Sequence, residues 1–408
     1  MSQERRFVSD LLALSAGFLL FVVLPVVMVF ANRATAAILA FACSLMLVAR
    51  VLDRRRNDLL AEVRAAILRP VGLLFLAFFL LALAGIPRTA HAQFHLWRLG
   101  EAFVPVATTM LLLFILPAKN LYLSFRLLAL GLLLASALVF AEIAQPGLMR
   151  RFFGLREEVF RLNRALVTLV MLLPVLGILA ETRRERFIAI LVSAVVVVAA
   201  FRSDSATSAL AALVLGIVSA LAWLNWAWMS RLVLSGTLLA IVTGPFHGLI
   251  LGTMFPDWLH EKLRSASSAI RVKIYTAFES AISAAPIFGS GFNSASRYKD
   301  EPGFHRIPAE LQSHVEFGHP HNAAVQLWLE MGLVGAAIVA ALVVFAYRAL
   351  QGLPAQMRPF ALGFWAAVVA VAIVSHGAWQ AWWLALVGIG IVLFSARAIE
   401  LRSSRDRA

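Results

Sequence analysis

Apolar runs recur along nearly the whole of this 408-residue chain. A segment that crosses roughly 30 Å of hydrocarbon needs about 20 residues as helix and must satisfy its own backbone donors and acceptors. Helix meets that demand and open sheet does not, and no alternating ten-residue strands of the barrel kind occur. The runs fall near 10–31, 33–52, 67–86, 99–117, 121–144, 163–180, 187–201, 206–226, 230–253, 321–347, 357–375 and 379–397. The pattern predicts an all-α polytopic membrane protein with about 12 transmembrane helices. Composition agrees, since 61% of residues are hydrophobic, 14% are charged and the mean hydropathy is +0.86. The apolar run Leu11 to Ala31 behind Arg5 and Arg6 is too long for a signal-peptide core and reads as the first span.

Three regions follow. Residues 1–253 hold spans one to nine with short loops, 254–320 form one long extramembrane loop, and 321–408 hold the last three spans and a tail. Within the loop, Trp258 to Ile287 reads as amphipathic helix, with Ile270, Ile274, Phe278 and Ile282 at four-residue spacing. Glycine turns at 287–293 end it, and Ser296 to Phe317 reads as loop. Such a segment can lie along the membrane as a lid.

Short-loop arginines favour a cytoplasmic N-terminus, with Arg54, Arg55, Arg56, Arg183, Arg184, Arg186, Arg348, Arg358 and Arg407 inside. The outer side is nevertheless basic, through Arg150, Arg151, Arg156, Arg161, Arg164, Arg202, Arg264, Arg271 and Arg297, which points to an anionic ligand there. All nine histidines fall outside or at an outer end of a span: His91, His95, His247, His260, His305, His314, His319, His321 and His376. The single cysteine, Cys43, permits no intramolecular disulfide and no two-thiol metal site. No nucleotide-binding or zinc-protease motif is present, and neither metal nor cofactor is expected. Trp379, Trp382 and Trp383, beside His376 and Gln380, read as an interfacial aromatic belt.

The candidate chemistry centres on Gly318-His319-Pro320-His321-Asn322. His321 and Asn322 are placed in the first turn of a helix on which Asn322, Gln326 and Glu330 share one face. An imidazole near a helix N-terminus is disfavoured as a cation and therefore suits a general base. His319 is its companion or a cap. Arg202, in a short outer turn beside Asp204, and Arg271, on the amphipathic segment, are candidates to bind a diphosphate leaving group. Arg164 is a third.

These residues resemble a known family. His321-Asn322, followed after nine residues by Gly332-Leu333-Val334-Gly335, is similar to the signature of bacterial O-antigen ligases and O-antigen polymerases. A long loop before that motif, an arginine followed by an aromatic (Arg271, Tyr275) and the turn Pro286-Ile287-Phe288-Gly289-Ser290-Gly291 resemble the same family. The resemblance spans about Arg202 to Gly335; a tyrosine stands where tryptophan is commoner. It implies a GT-C-like, metal-independent glycosyltransferase in the bacterial inner membrane with its site facing the periplasm. The implied donor is an undecaprenyl-diphosphate-linked glycan and the implied acceptor is lipid A–core oligosaccharide; no nucleic acid is expected as a partner. His321, His319 and Asn322 would be catalytic, and Arg202, Arg271, Arg164 and Tyr275 would bind the donor. A polymerase acting on lipid-linked repeats, and a membrane transporter, are the alternatives.

Overall fold

The computed structural model describes residues 3–53, 64–65, 67–117, 119–152, 154, 162–262 and 268–405. Arg54, Arg55, Arg56, Arg156, Arg161, Arg264 and Arg407 lie outside the described residues. Among those described, every regular element is helical. The principal helices are α1 (Gln3–Val27), α2 (Thr35–Asp53), α3 (Pro70–Gly85), α4 (Ala92–Ile115), α5 (Phe125–Ala144), α6 (Asn163–Leu179) and α7 (Arg183–Arg202). They continue with α8 (Ala206–Leu224), α9 (Trp226–Val242), α10 (His247–Met254), α11 (Ser268–Ile282), α12 (Ala323–Gln351), α13 (Arg358–Val374) and α14 (Ala381–Arg405).

Among the described residues, nine helices are long and apolar enough to cross a membrane, or ten if α9 and the bent segment after it form one span. The predicted run 230–253 is that bent pair, turned through 65° where Gly244-Pro245 interrupts it. Pro245 cannot donate to the helix ladder, so the chain breaks there. The two other predicted runs are helices that miss the criterion. α6 has 17 residues. α7 opens on Arg183, Arg184, Glu185 and Arg186, a first turn organised by a capping box in which Thr182 Oγ1 accepts from Glu185 N at 3.1 Å and Glu185 returns a bond to Thr182 N at 3.0 Å.

The short helix α6 is the pillar of the bundle. From Ala165 to Leu179 it is buried on nearly every face, as expected of a helix apolar all round. It packs against α5, α7, α8, α13 and α14. α8 lies along α13, with Gly363 close under Ser219; small residues let membrane helices approach in this way. The Asn163 end of α6 sits beside the Ala206 end of α8, the Val374 end of α13 and the Ala381 end of α14, and Arg164 is at that end.

The segment around α11 has a core of its own. The four-residue stripe on α11 behaves as predicted over most of its length: Ile274, Phe278 and Ile282 are buried, with Tyr275 among them, whereas Ile270 is exposed. They pack with Tyr298, Ile307, Val315, Val325 and Leu329. The predicted loop 296–317 is instead a chain of short 3-10 turns, Ser294–Asp300, Phe304–Arg306 and Ala309–Phe317. It is fastened to the start of α4, where His91 Nε2 donates to Asp300 at 2.8 Å and the backbone N–H of Ala90 meets the Glu301 carboxylate at 3.2 Å.

Candidate functional site

Two broken backbones interlock to build the floor of the site. α12 is interrupted at Gly332, whose φ of 60° and ψ of −161° suit glycine alone. Into that break fits the turn 286–291. Ser290 N donates to Leu329 O at 2.8 Å and Gly291 N to Glu330 O at 3.0 Å; Leu333 N donates back to Pro286 O at 2.9 Å and Val334 N to Ile287 O at 3.1 Å. A side chain at Gly289 would strike the Glu330 backbone, and one at Gly332 would strike Ile287. Gly289 and Gly332, one from each sequence motif, thus serve a single backbone crossing.

The polar face of α12 bolts this crossing to the rest of the site. Asn322, Gln326 and Glu330 are all buried, as their spacing predicts for a stripe that points inward. Glu330 accepts from Asn293 N at 2.6 Å, Trp379 Nε1 at 2.5 Å and Gln326 Nε2 at 2.9 Å, while Gln326 Oε1 accepts from Ala378 N at 2.8 Å. The stripe is spent on protein partners. Trp379, Trp382 and Trp383 accordingly do not form an outward belt: Trp382 and Trp383 are buried against His376, and Trp379 is tied to Glu330.

The helix begins two residues later than expected, at Ala323. Asn322 is its N-cap, accepting from Ala324 N at 3.0 Å and Val325 N at 3.2 Å. Its amide nitrogen donates to His247 Nδ1 at 2.9 Å, so both ends of the side chain are engaged. His321 lies before the cap, in the left-handed region at φ 54°, not in the first turn. Its backbone N–H donates to His319 Nδ1 at 3.2 Å, and the two rings stand 4.1 Å apart. Because a carbonyl can only accept, the 2.9 Å bond between His321 Nδ1 and Ser375 O places the ring proton on Nδ1. Nε2 is left as the basic atom.

The α13–α14 connection and α11 complete the arrangement. Arg271 donates to Val374 O. The Tyr275 hydroxyl donates to His321 O at 3.4 Å and Ile373 O at 3.2 Å, and burial pushes it up to about 12, so it positions the backbone and does not exchange protons. Arg164 lies over Trp382, 5.4 Å from the ring centre, and donates to Asn32 Oδ1 at 3.3 Å. Burial lowers His321 below its ordinary value; the Ser375 carbonyl opposes that shift and Arg271 adds to it. His319 falls to about 3 through burial, His321 and Arg164. His376 likewise falls to about 3, through burial first and then Arg164, the two other imidazoles and Arg271. An anion would relieve this accumulation of positive potential.

The structure thus gathers His319, His321, Arg164, Arg271 and Tyr275. Arg202 is exposed and lines a cavity of about 240 Å³ with Asn163, Asp204 and Ser205. It reaches the histidines only indirectly, since Asn163, which accepts from Ser205 Oγ at 2.8 Å, is the chain neighbour of Arg164. His247 and His376 were not singled out by sequence reasoning beyond their outer position. Nothing in the spacing ties His247 to Asn322, 75 positions away, or His376 to His321, 55 positions away. Among the described residues no group of three or more His, Cys, Asp or Glu side chains is arranged to hold a metal ion.

A multi-span helical protein with a histidine and arginine site at one end of its bundle is the class that this geometry defines. Residues 189–340 match the sequence profile described as O-antigen ligase, so this segment of the chain is similar to that family. The matched segment holds Arg202, Arg271, His319, His321, Asn322 and the interlocked glycines; Arg164 and His376 stand outside it. Proteins provisionally named polysaccharide ligase are similar over a greater length. That of Rickettsia bellii is 26% identical over 303 residues, covering 69% of this chain and 70% of the relative. Those of Rickettsia typhi and Rickettsia prowazekii are 26% identical over 277 and 280 residues, and the chain spans 65% of the length of each.

Proposed function

We propose that the protein transfers an O-antigen glycan from undecaprenyl diphosphate to a sugar hydroxyl of lipid A–core oligosaccharide, at the periplasmic face of the inner membrane. The observation that carries this reading is the tautomer of His321: Nδ1 is held by Ser375 O, which leaves Nε2 as the basic atom, with Arg271 acting on the same ring. In the reaction, Nε2 removes the proton of the acceptor hydroxyl as its oxygen attacks the anomeric carbon. The bond from that carbon to the diphosphate oxygen breaks, and the diphosphate leaves with the electron pair. A single displacement inverts the anomeric centre.

Arg271 and Arg164 bind the departing diphosphate, and Arg202 receives it at the rim. Their charge persists where partly desolvated, and each transition-state donor of this kind is worth about 10²–10³ in rate. The basic outer surface and the polar, histidine-lined end of the bundle support an anionic, lipid-linked donor. The family name and the relatives' names support glycan transfer.

The test supplies purified protein, in EDTA, with lipid-linked glycan and either lipid A–core or a second lipid-linked glycan as acceptor. The expected product is core-linked glycan. Chain growth on the lipid-linked acceptor alone would make the protein a polymerase instead.

A further inference from the structure

The connection 373–378 is where the site's parts meet. Its carbonyls accept from Tyr275 (Ile373 O), Arg271 (Val374 O) and His321 (Ser375 O). The Ser375 hydroxyl takes a 2.8 Å bond from Thr207, and the N–H of Ala378 reaches Gln326. In the middle of this segment His376 is 6% exposed, and its Nε2 is buried without a hydrogen-bond partner among the described residues. A buried imidazole nitrogen left unpaired is costly and calls for a reason. The ring lies edge-on to Trp382, 4.8 Å between centres, and Trp382 in turn lies beneath the Arg164 guanidinium. The charged and titratable groups that act on it are Arg164 from α6, Arg271 from α11, and His319 and His321 from the turn before α12.

Of the three imidazoles, His376 is the one that can gain a proton without undoing the site. Protonating His321 would remove the basic Nε2. Protonating His319 at Nδ1 would break its bond from the His321 backbone N–H. We propose that His376 is a positioning residue that takes up a proton from solvent when a diphosphate occupies the site flanked by Arg164 and Arg271, so that ligand capture and protonation are coupled. In the empty site, burial and the surrounding cations hold the ring neutral. An arriving polyanion reverses the sign of the local potential and favours imidazolium. The proton then tightens the grip on the ligand while His321 stays neutral. Departure of the diphosphate releases it.

This rests on the diphosphate reading above. The experiment is isothermal titration of the full chain with geranyl diphosphate, in EDTA, in buffers of differing ionisation enthalpy at one pH near neutrality. Wild type is expected to take up about one proton more per ligand than His376→Gln, which binds more weakly at low pH than wild type does. The ligand's own titration is common to both and cancels. Binding by wild type without that difference overturns the role of His376 and leaves the diphosphate reading intact. Absence of binding by wild type overturns both. If His376→Gln does not fold, His319→Gln and His321→Gln decide the matter. Uptake unchanged from wild type in both clears those two rings and supports His376, and a fall of about one proton in either overturns the assignment.

Discussion

Gly332 and Tyr275 show how single residues set the site's geometry. Gly332 combines a glycine-only conformation with a backbone contact on Ile287. Gly332→Ala is therefore expected to cost several kcal/mol, roughly 1–3 for the dihedral alone with the clash added. Gly236→Ala, with open space around the position, should be neutral or slightly stabilising. Thermal unfolding of the two variants in one detergent checks this. Tyr275→Phe keeps the ring and removes two bonds to carbonyls, so it should lower kcat less than tenfold, with a loss of about 1 kcal/mol in stability. The motif glycines and the His-Asn pair could be read directly from the sequence. The reason for the glycines could not, because each answers to a backbone over 40 positions away, Gly289 to Glu330 and Gly332 to Ile287.

At the scale of elements, α12 joins three segments through one buried carboxylate. The Glu330 carboxyl is faced by donors from Asn293, Gln326, Trp379 and the Ala295 backbone. Glu330→Gln turns an acceptor into a donor against those N–H groups and should destabilise by about 1–3 kcal/mol despite its near-equal shape. Melting temperature against wild type measures it. Stability should also depend on pH through His319 and His376. Their folded values lie near 3, below the ordinary 6.5, so the unfolded chain binds more protons across that interval. Stability is then lost as pH falls below about 6.5, by at most about 1.4 kcal/mol per pH unit for each ring, and levels off near 3. A melting series from pH 7.5 to 4.5 would reveal the slope, and His376→Gln should reduce it. The inward stripe of α12 and the buried face of α11 were legible from periodicity. The short turns of 294–317 were not, since their order comes from packing on α11 and not from local pattern.

For the whole molecule, hydropathy located every helix of the bundle but not which of them form complete spans. α6, at 17 residues, is shorter than a typical span, and Asn163 and Arg164 are its first two residues. The break after α9 brings His247 to Asn322, an encounter that sequence periodicity cannot foresee. The tryptophans after His376 were misread for the same reason: a position at the end of a span does not say whether a side chain faces lipid or neighbour. What the fold adds is convergence, since Arg164 and His376, both outside the O-antigen ligase segment, meet residues within it.

In the proposed transfer His321 removes the acceptor proton while the arginines hold the diphosphate. The deciding measurement is of glycan transfer and geranyl diphosphate binding, on the same folded samples, for wild type and His321→Ala. A loss of at least about 10²-fold in kcat is expected, with diphosphate affinity within a few-fold of wild type. Transfer by His321→Ala within tenfold of wild type would contradict it.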